Sequence, residues 1–176
     1  MSKEFYYRII PESRVDAEKV LKAGKVLEFC KQHLKKMVNR KIPEFELFWI
    51  EETGQKDFEG DDVFRKLQEN INKLFSVENP EAFKPMILRD GDDFLGMCQV
   101  IKHPDGSKSP RILLRSDIPV RQIPGTLAHE LYHLISWDMK GQRPFTQSEL
   151  NSQERLADGF AKDLIAEMNK RVYFRV

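Results

Sequence analysis

No stretch of this chain is long and apolar enough to span a bilayer, which takes about 20 consecutive apolar residues. Its first residues, Met1-Ser2-Lys3-Glu4-Phe5-Tyr6-Tyr7-Arg8, also lack the apolar run of a secretory signal. Cysteine is scarce: Cys30 and Cys98 stand far apart, in no metal-binding or redox spacing. That excludes a disulfide framework and leaves two small hydrophobes, expected to be buried in a reducing compartment. Charge of one sign is lacking as well. The formal net charge is +1, so no global field favours nucleic acid or an anionic membrane. Repeats, low-complexity tracts and interdomain linkers are absent. The expectation is a cytoplasmic protein with no nucleic-acid or membrane role.

What is there suits one globular domain. The 176 residues suffice for one domain with a substantial core and are few for two. We read residues 1–176 as that domain, with a strand- and helix-rich part over 1–118 and two further helices over 119–170. Phe5 to Ile10 is aromatic and β-branched and stops at Pro11, which predicts a short strand. From Ser13 to Arg40, Val20, Leu27 and Leu34 recur every seven residues, with Ala23, Cys30 and Met37 adjoining, which predicts a helix. Its lysines, Lys19, Lys22, Lys25, Lys31, Lys35 and Lys36, read as a solvated face, because acidic residues elsewhere balance them.

Phe45 to Ile50 alternates only partly, which suggests a strand covered on both faces, and Thr53 to Gly60 reads as a polar loop. Val63, Phe64, Leu67, Ile71, Leu74 and Phe75 mark a second helix behind Asp61-Asp62. Short strands are expected at Met86 to Leu88 and Phe94 to Ile101. The Asp105-Gly106 turn beside His103 should fold a hairpin back into Arg111 to Arg115, fenced by Pro110 and Pro119. Thr146 and Glu149 have capping-box spacing for a last helix reaching about Asn169. Gly159 within it is compatible with close approach of another helix. The fold class is α+β: a small mixed or antiparallel sheet of four or so strands against the last two helices.

The chemistry concentrates in Thr126 to Trp137, which carries His129-Glu130-x-x-His133. Four residues turn a helix by slightly more than one turn, so both imidazoles project from one face, one above the other. So placed, they can hold one divalent ion, at about 2.0–2.1 Å per nitrogen for zinc. Glu130 stands beside them, where a carboxylate can take a proton from water. Three fixed positions match by chance at times, and helical histidines are usually core or surface residues. Here two of the four histidines fall in the pattern, on an apolar helix followed by an acidic one. A third ligand is needed, and Glu154 or Asp158, one turn apart on one face, can supply it. Glu154 is preferred because its longer side chain reaches further across the gap between helices.

With Glu154-x-x-x-Asp158 placed twenty residues after His133, the last 50 or so residues resemble zinc-dependent metallopeptidases of the zincin superfamily that use a glutamate as third ligand. The Glu154-x-x-Ala157-Asp158-x-Phe160-Ala161 run is most similar to the ImmA/IrrE family, whose members cleave or regulate helix-turn-helix repressors. The resemblance implies a zincin-like fold and zinc held by His129, His133 and Glu154. It further implies Glu130 as catalytic base and Asp158 as the partner that orients a ligand histidine. A protein or peptide substrate, such as a transcriptional repressor, follows from it as well. It also suggests that an extended peptide docks along Arg111 to Arg115, although an interior strand without substrate contact fits those residues equally well. The family often has glycine where this chain has Tyr132, so the groove beside the metal differs in shape. Spacing does not identify what would stabilise an oxyanion: Tyr132 flanks the motif face, and Tyr173 or a loop residue could fold back. The rival is a metal-binding regulator that recognises a partner without cutting it. Glu130 weighs against that, since binding zinc requires no base between the ligands.

Overall fold

The computed structural model of the chain describes residues 4–38, 43–55, 86–89, 94–140 and 146–171. The expected helix over Val63 to Phe75 and the tyrosine Tyr173 lie outside them. Five strands and three α-helices are described: β1 (Glu4–Ile10), α1 (Ala17–Val38), β2 (Glu46–Gln55), β3 (Met86–Arg89), β4 (Gly96–Lys102), β5 (Lys108–Arg115), α2 (Ile123–Lys140) and α3 (Gln147–Lys170). They form an α+β arrangement with a mixed sheet of order β3-β1-β2-β5-β4, in which β2 and β5 run parallel and the other neighbours antiparallel. None of the described helices is long and apolar enough to cross a membrane.

Local chemistry accounts for the element ends. Pro11 closes β1 and a 3-10 turn, Glu12–Arg14, follows. Asp16 then caps α1, its side chain accepting from the Glu18 amide at 2.9 Å. The helix therefore starts four residues later than its periodicity suggests. The capping box at α3 forms in full: Thr146 accepts from the Glu149 amide, and Glu149 accepts from the Thr146 amide. Gly106 takes the left-handed backbone conformation that the β4–β5 hairpin requires, with φ at 84°.

Strand alternation divides the sheet into two apolar faces. Ile10, Trp49, Ile112 and Leu114 join the three helices in the main core, while Tyr7, Ile50 and Leu113 cluster on the opposite face. The expected double coverage of the β2 segment is thus observed, since Trp49 and Ile50 are both buried. α2 is the centre of the main core: Ile123, Leu127, Ala128, Leu131, Leu134 and Ile135 are nearly or wholly inaccessible. Fully burying each of the larger ones stabilises the fold by about 1.5–3 kcal/mol. From α1 come Ala23, Val26, Phe29 and Cys30, of which Val26 and Phe29 fell outside the seven-residue pattern.

Two open alternatives are resolved, at Arg111 to Arg115 and Gly159, and two expectations need correction. Arg111 to Arg115 is interior: β2 pairs with it on one side and β4 on the other, so it has no free edge for a peptide. Pro110 lies within β5 rather than before it, at a level where β4 is the described partner and β2 has not begun. β2 runs on to Gln55 through part of the expected loop, because β1 pairs with it that far. Gly159 meets no other helix among the described residues, since a Cβ there would find nothing of them within 4 Å.

The close approach occurs instead at Gly96, where a Cβ would fall 2.7 Å from Thr126 Cγ2 and 3.3 Å from the Leu113 carbonyl oxygen. Glycine here lets β4 lie directly against the first turn of α2. Urea unfolding should therefore separate two alanine substitutions. Gly96→Ala should lower stability by about 1–3 kcal/mol through overpacking. Gly159→Ala should raise it by roughly 0.5–1 kcal/mol through helix propensity alone. Equal effects of the same sign would refute this packing.

Candidate metal centre

The site is built where the polar face of α2 meets the first half of α3. Helical geometry places His129, His133 and Ser136 along one face of α2, while the buried apolar residues point elsewhere. α3 presents Gln153, Glu154 and Asp158 to that face, and its own apolar residues Ala157, Ala161, Leu164 and Met168 are buried. The same two helices therefore supply both a core contact and a polar cluster.

Three side chains converge. The Nε2 atoms of His129 and His133 lie 3.0 Å apart. Glu154 spans both, with Oε1 at 3.0 Å from His133 Nε2 and Oε2 at 3.1 Å from His129 Nε2. A tetrahedral ion about 2.0–2.1 Å from each donor holds its donors roughly 3.3 Å apart, close to this spacing. One ligand atom from each of the three residues can be chosen so that all lie within 4.8 Å of one another. Two imidazole nitrogens and one carboxylate are the donor set of a catalytic zinc site, and the residues present fit that ion.

Asp158 completes the orientation of His129. Its Oδ1 lies 2.9 Å from Nδ1 of that ring, and an ionised carboxylate can only accept. A ring that donates from Nδ1 to Asp158 leaves Nε2, which faces Glu154 and His133, as the nitrogen available to a metal ion. Burial holds the His133 imidazole below the ordinary histidine range, against the opposing charge of Glu154, and so favours its neutral, ligating form. Glu154 itself is largely exposed, its side chain retaining 59% of its accessible surface, so the cluster opens toward solvent.

Glu130 sits on the β4 side of α2. Burial pushes its carboxyl up to about 7; His129 and the Cys98 backbone N–H oppose that rise, and Glu154 adds to it. A carboxyl in that range can both take and return a proton near neutral pH. Tyr132 flanks the cluster, its ring centroid 6.3 Å from that of His133 and 5.6 Å from that of Phe160 on α3. Of the residues singled out, the structure brings His129, His133 and Glu154 together, with Asp158 bonded to His129, Glu130 toward β4 and Tyr132 beside His133. His103, read as a turn residue, bonds Ser109 across the hairpin at 2.6 Å, away from this cluster.

Sequence reasoning missed two contributions. One is β4, whose Cys98 lies beside Glu130; the Gly96 that permits this approach was the available signal. The other is Ser136, one turn beyond His133 on the same face, which spacing alone could have marked. No protein-family model, curated protein or solved structure matches the chain.

Two measurements follow. Glu154→Gln removes a charged donor and should abolish tight zinc binding, whereas Asp158→Asn removes only the orienting acceptor and should weaken it about 10–100-fold. Competition against a chelating dye ranks the variants, and the reverse order would exchange the two roles. The thiols offer a second check. Burial pushes Cys30 up to about 12, and burial reinforced by Glu130 pushes Cys98 there too. A disulfide reagent at neutral pH should react with both cysteines only after denaturation. Prompt labelling of Cys98 in the folded protein would contradict its placement in β4 beside Glu130.

Proposed function

We propose that this protein is a zinc-dependent metallopeptidase of the gluzincin type, similar to the ImmA/IrrE family. The observation that carries the reading is the convergence of His129, His133 and Glu154 with a buried carboxyl, Glu130, one residue from the first ligand. A site that only stored or sensed a metal would gain nothing from a half-buried carboxyl raised toward neutrality beside it. When bound, zinc supplies Lewis acidity, polarising a carbonyl oxygen and making water easier to deprotonate.

The residues of the chain divide the remaining work. His129, held by Asp158, and His133, kept neutral by burial, present fixed lone pairs. Glu154 contributes the single negative charge that leaves the centre net positive. Glu130 accepts the proton of the attacking water and returns it to the departing amine of the peptide.

The sheet offers an edge on which a peptide could pair. β4 is the last strand of the sheet, and among the described residues nothing pairs with its outer side. Arg115 donates to the Leu95 carbonyl at 2.9 Å, so Leu95 faces β5, and alternation turns the main-chain groups of Gly96, Cys98 and Val100 outward. An extended peptide paired with that edge would run past Glu130. This assigns β4 the role that the sequence suggested for Arg111 to Arg115. A repressor protein with an exposed extended segment is the substrate class that the resemblance favours, acting in the cytoplasm.

Zinc content and Glu130→Gln test the proposal together. The wild type should bind about one zinc ion and cut a susceptible protein substrate. The variant keeps the shape of the side chain and removes its basicity. It should retain fold and zinc while cleavage falls by at least about 10²-fold. A zinc-loaded variant cutting at the wild-type rate would eliminate Glu130 as the base. An active wild type without metal would eliminate the centre.

A further inference from the structure

Resting on the zinc reading above, we infer that the hydrogen bond from Ser136 to Gln153 is a positioning contact, which fixes α3 against α2 so that the Glu154 carboxylate stands across both imidazoles. Ser136 is buried, with only 4% of its surface accessible, and its hydroxyl donates to Gln153 Oε1 at 2.8 Å. It stands seven residues after His129 and three after His133, hence on the face that bears both ligands. Gln153 immediately precedes Glu154. The tie therefore holds the chain one residue from the third ligand.

Glu154 needs such a tie. Its side chain is mostly exposed, and the contacts described for its carboxylate are the two imidazoles themselves. Its position depends on where its backbone is held. Among the α3 residues whose side chains are described, Ala157 is the first that is buried, and the apolar stripe runs from there toward the C-terminus. Apolar packing is non-directional and tolerates small axial slips between helices. A hydrogen bond weakens steeply with distance and angle and does not. Asp158 with His129 supplies a second directional contact one turn further on, so α3 is pinned on both sides of Glu154. A slip of about 1.5 Å, the rise of one residue, would separate Glu154 from one of the two rings.

Ser136→Ala, Gln153→Ala and the double variant separate a positioning role from ordinary support. Zinc affinity is read by competition with a chelating dye, and metal-free stability by melting temperature. Each single variant should bind zinc about tenfold or more weakly, as loss of an outer contact does. The double variant should be no worse than the weaker single one, because both lose the same bond. The metal-free melting temperature should shift by no more than a few degrees. Amide hydrogen exchange over residues 147–156 of the metal-free protein should quicken in all three. Wild-type zinc affinity in the single variants overturns the inference, as does a loss of affinity matched by a large loss of stability. Should the wild type bind no zinc, the metal reading fails by itself. Exchange over 147–156 then decides alone whether the bond holds α3, and an unchanged rate overturns it.

Discussion

The structure depends on one helix being apolar on most of its circumference and polar along a single stripe. α2 buries Ile123, Leu127, Leu131, Leu134 and Ile135, which fixes it between α1, the sheet and α3. Magnitudes decide the division of labour. Several such side chains, at about 1.5–3 kcal/mol each, outweigh the roughly 1 kcal/mol of any one neutral hydrogen bond. Apolar burial therefore determines that α2 occupies the centre. The polar stripe then has one place to go, the seam with α3. Two imidazoles in that seam need partners, and only a helix bearing acceptors at matching heights supplies them. The His129–His133–Glu154 cluster is thus a consequence of satisfying the polar seam between the two helices.

How much of this was legible depends on sequence distance. The helix pair was readable because its signals are local: the spacing of His129 and His133, the capping box of Thr146 and Glu149, and the one-turn separation of Glu154 and Asp158. Each follows from helical geometry within a few residues. Strand partners were not readable, because pairing is a contact between distant segments. Arg111 to Arg115 has the look of a docking strand, yet its placement between β2 and β4 follows from a parallel pairing with residues more than sixty positions earlier. The two glycines make the same point. Gly159 sits in a helix facing solvent and Gly96 against another element, and nothing in their immediate neighbours distinguishes the two.

The charge states in the cluster are mutually consistent with one occupant. An exposed carboxylate, Asp158, lies 2.9 Å from the far nitrogen of His129. Burial lowers His133 and so favours its ligating form, and burial raises Glu130 to about 7, where its carboxyl exchanges a proton near neutral pH. Were the cluster only an ion-pair network, protonated histidines beside Glu154 would serve better. Burial of His133 works against that form.

The openness of the site bears on what kind of metal centre it is. Structural zinc sites enclose the ion with four protein ligands, while catalytic ones leave a position free. Here three donors come from two helices, and the third, Glu154, lies at the solvent side. Glu130 lies on the β4 side of α2, where it accepts from the Cys98 backbone N–H, and β4 is the last described strand of the sheet. Among the described residues the cluster offers three donors from two helices, and an open, solvent-facing side is what the proposed hydrolytic role would need.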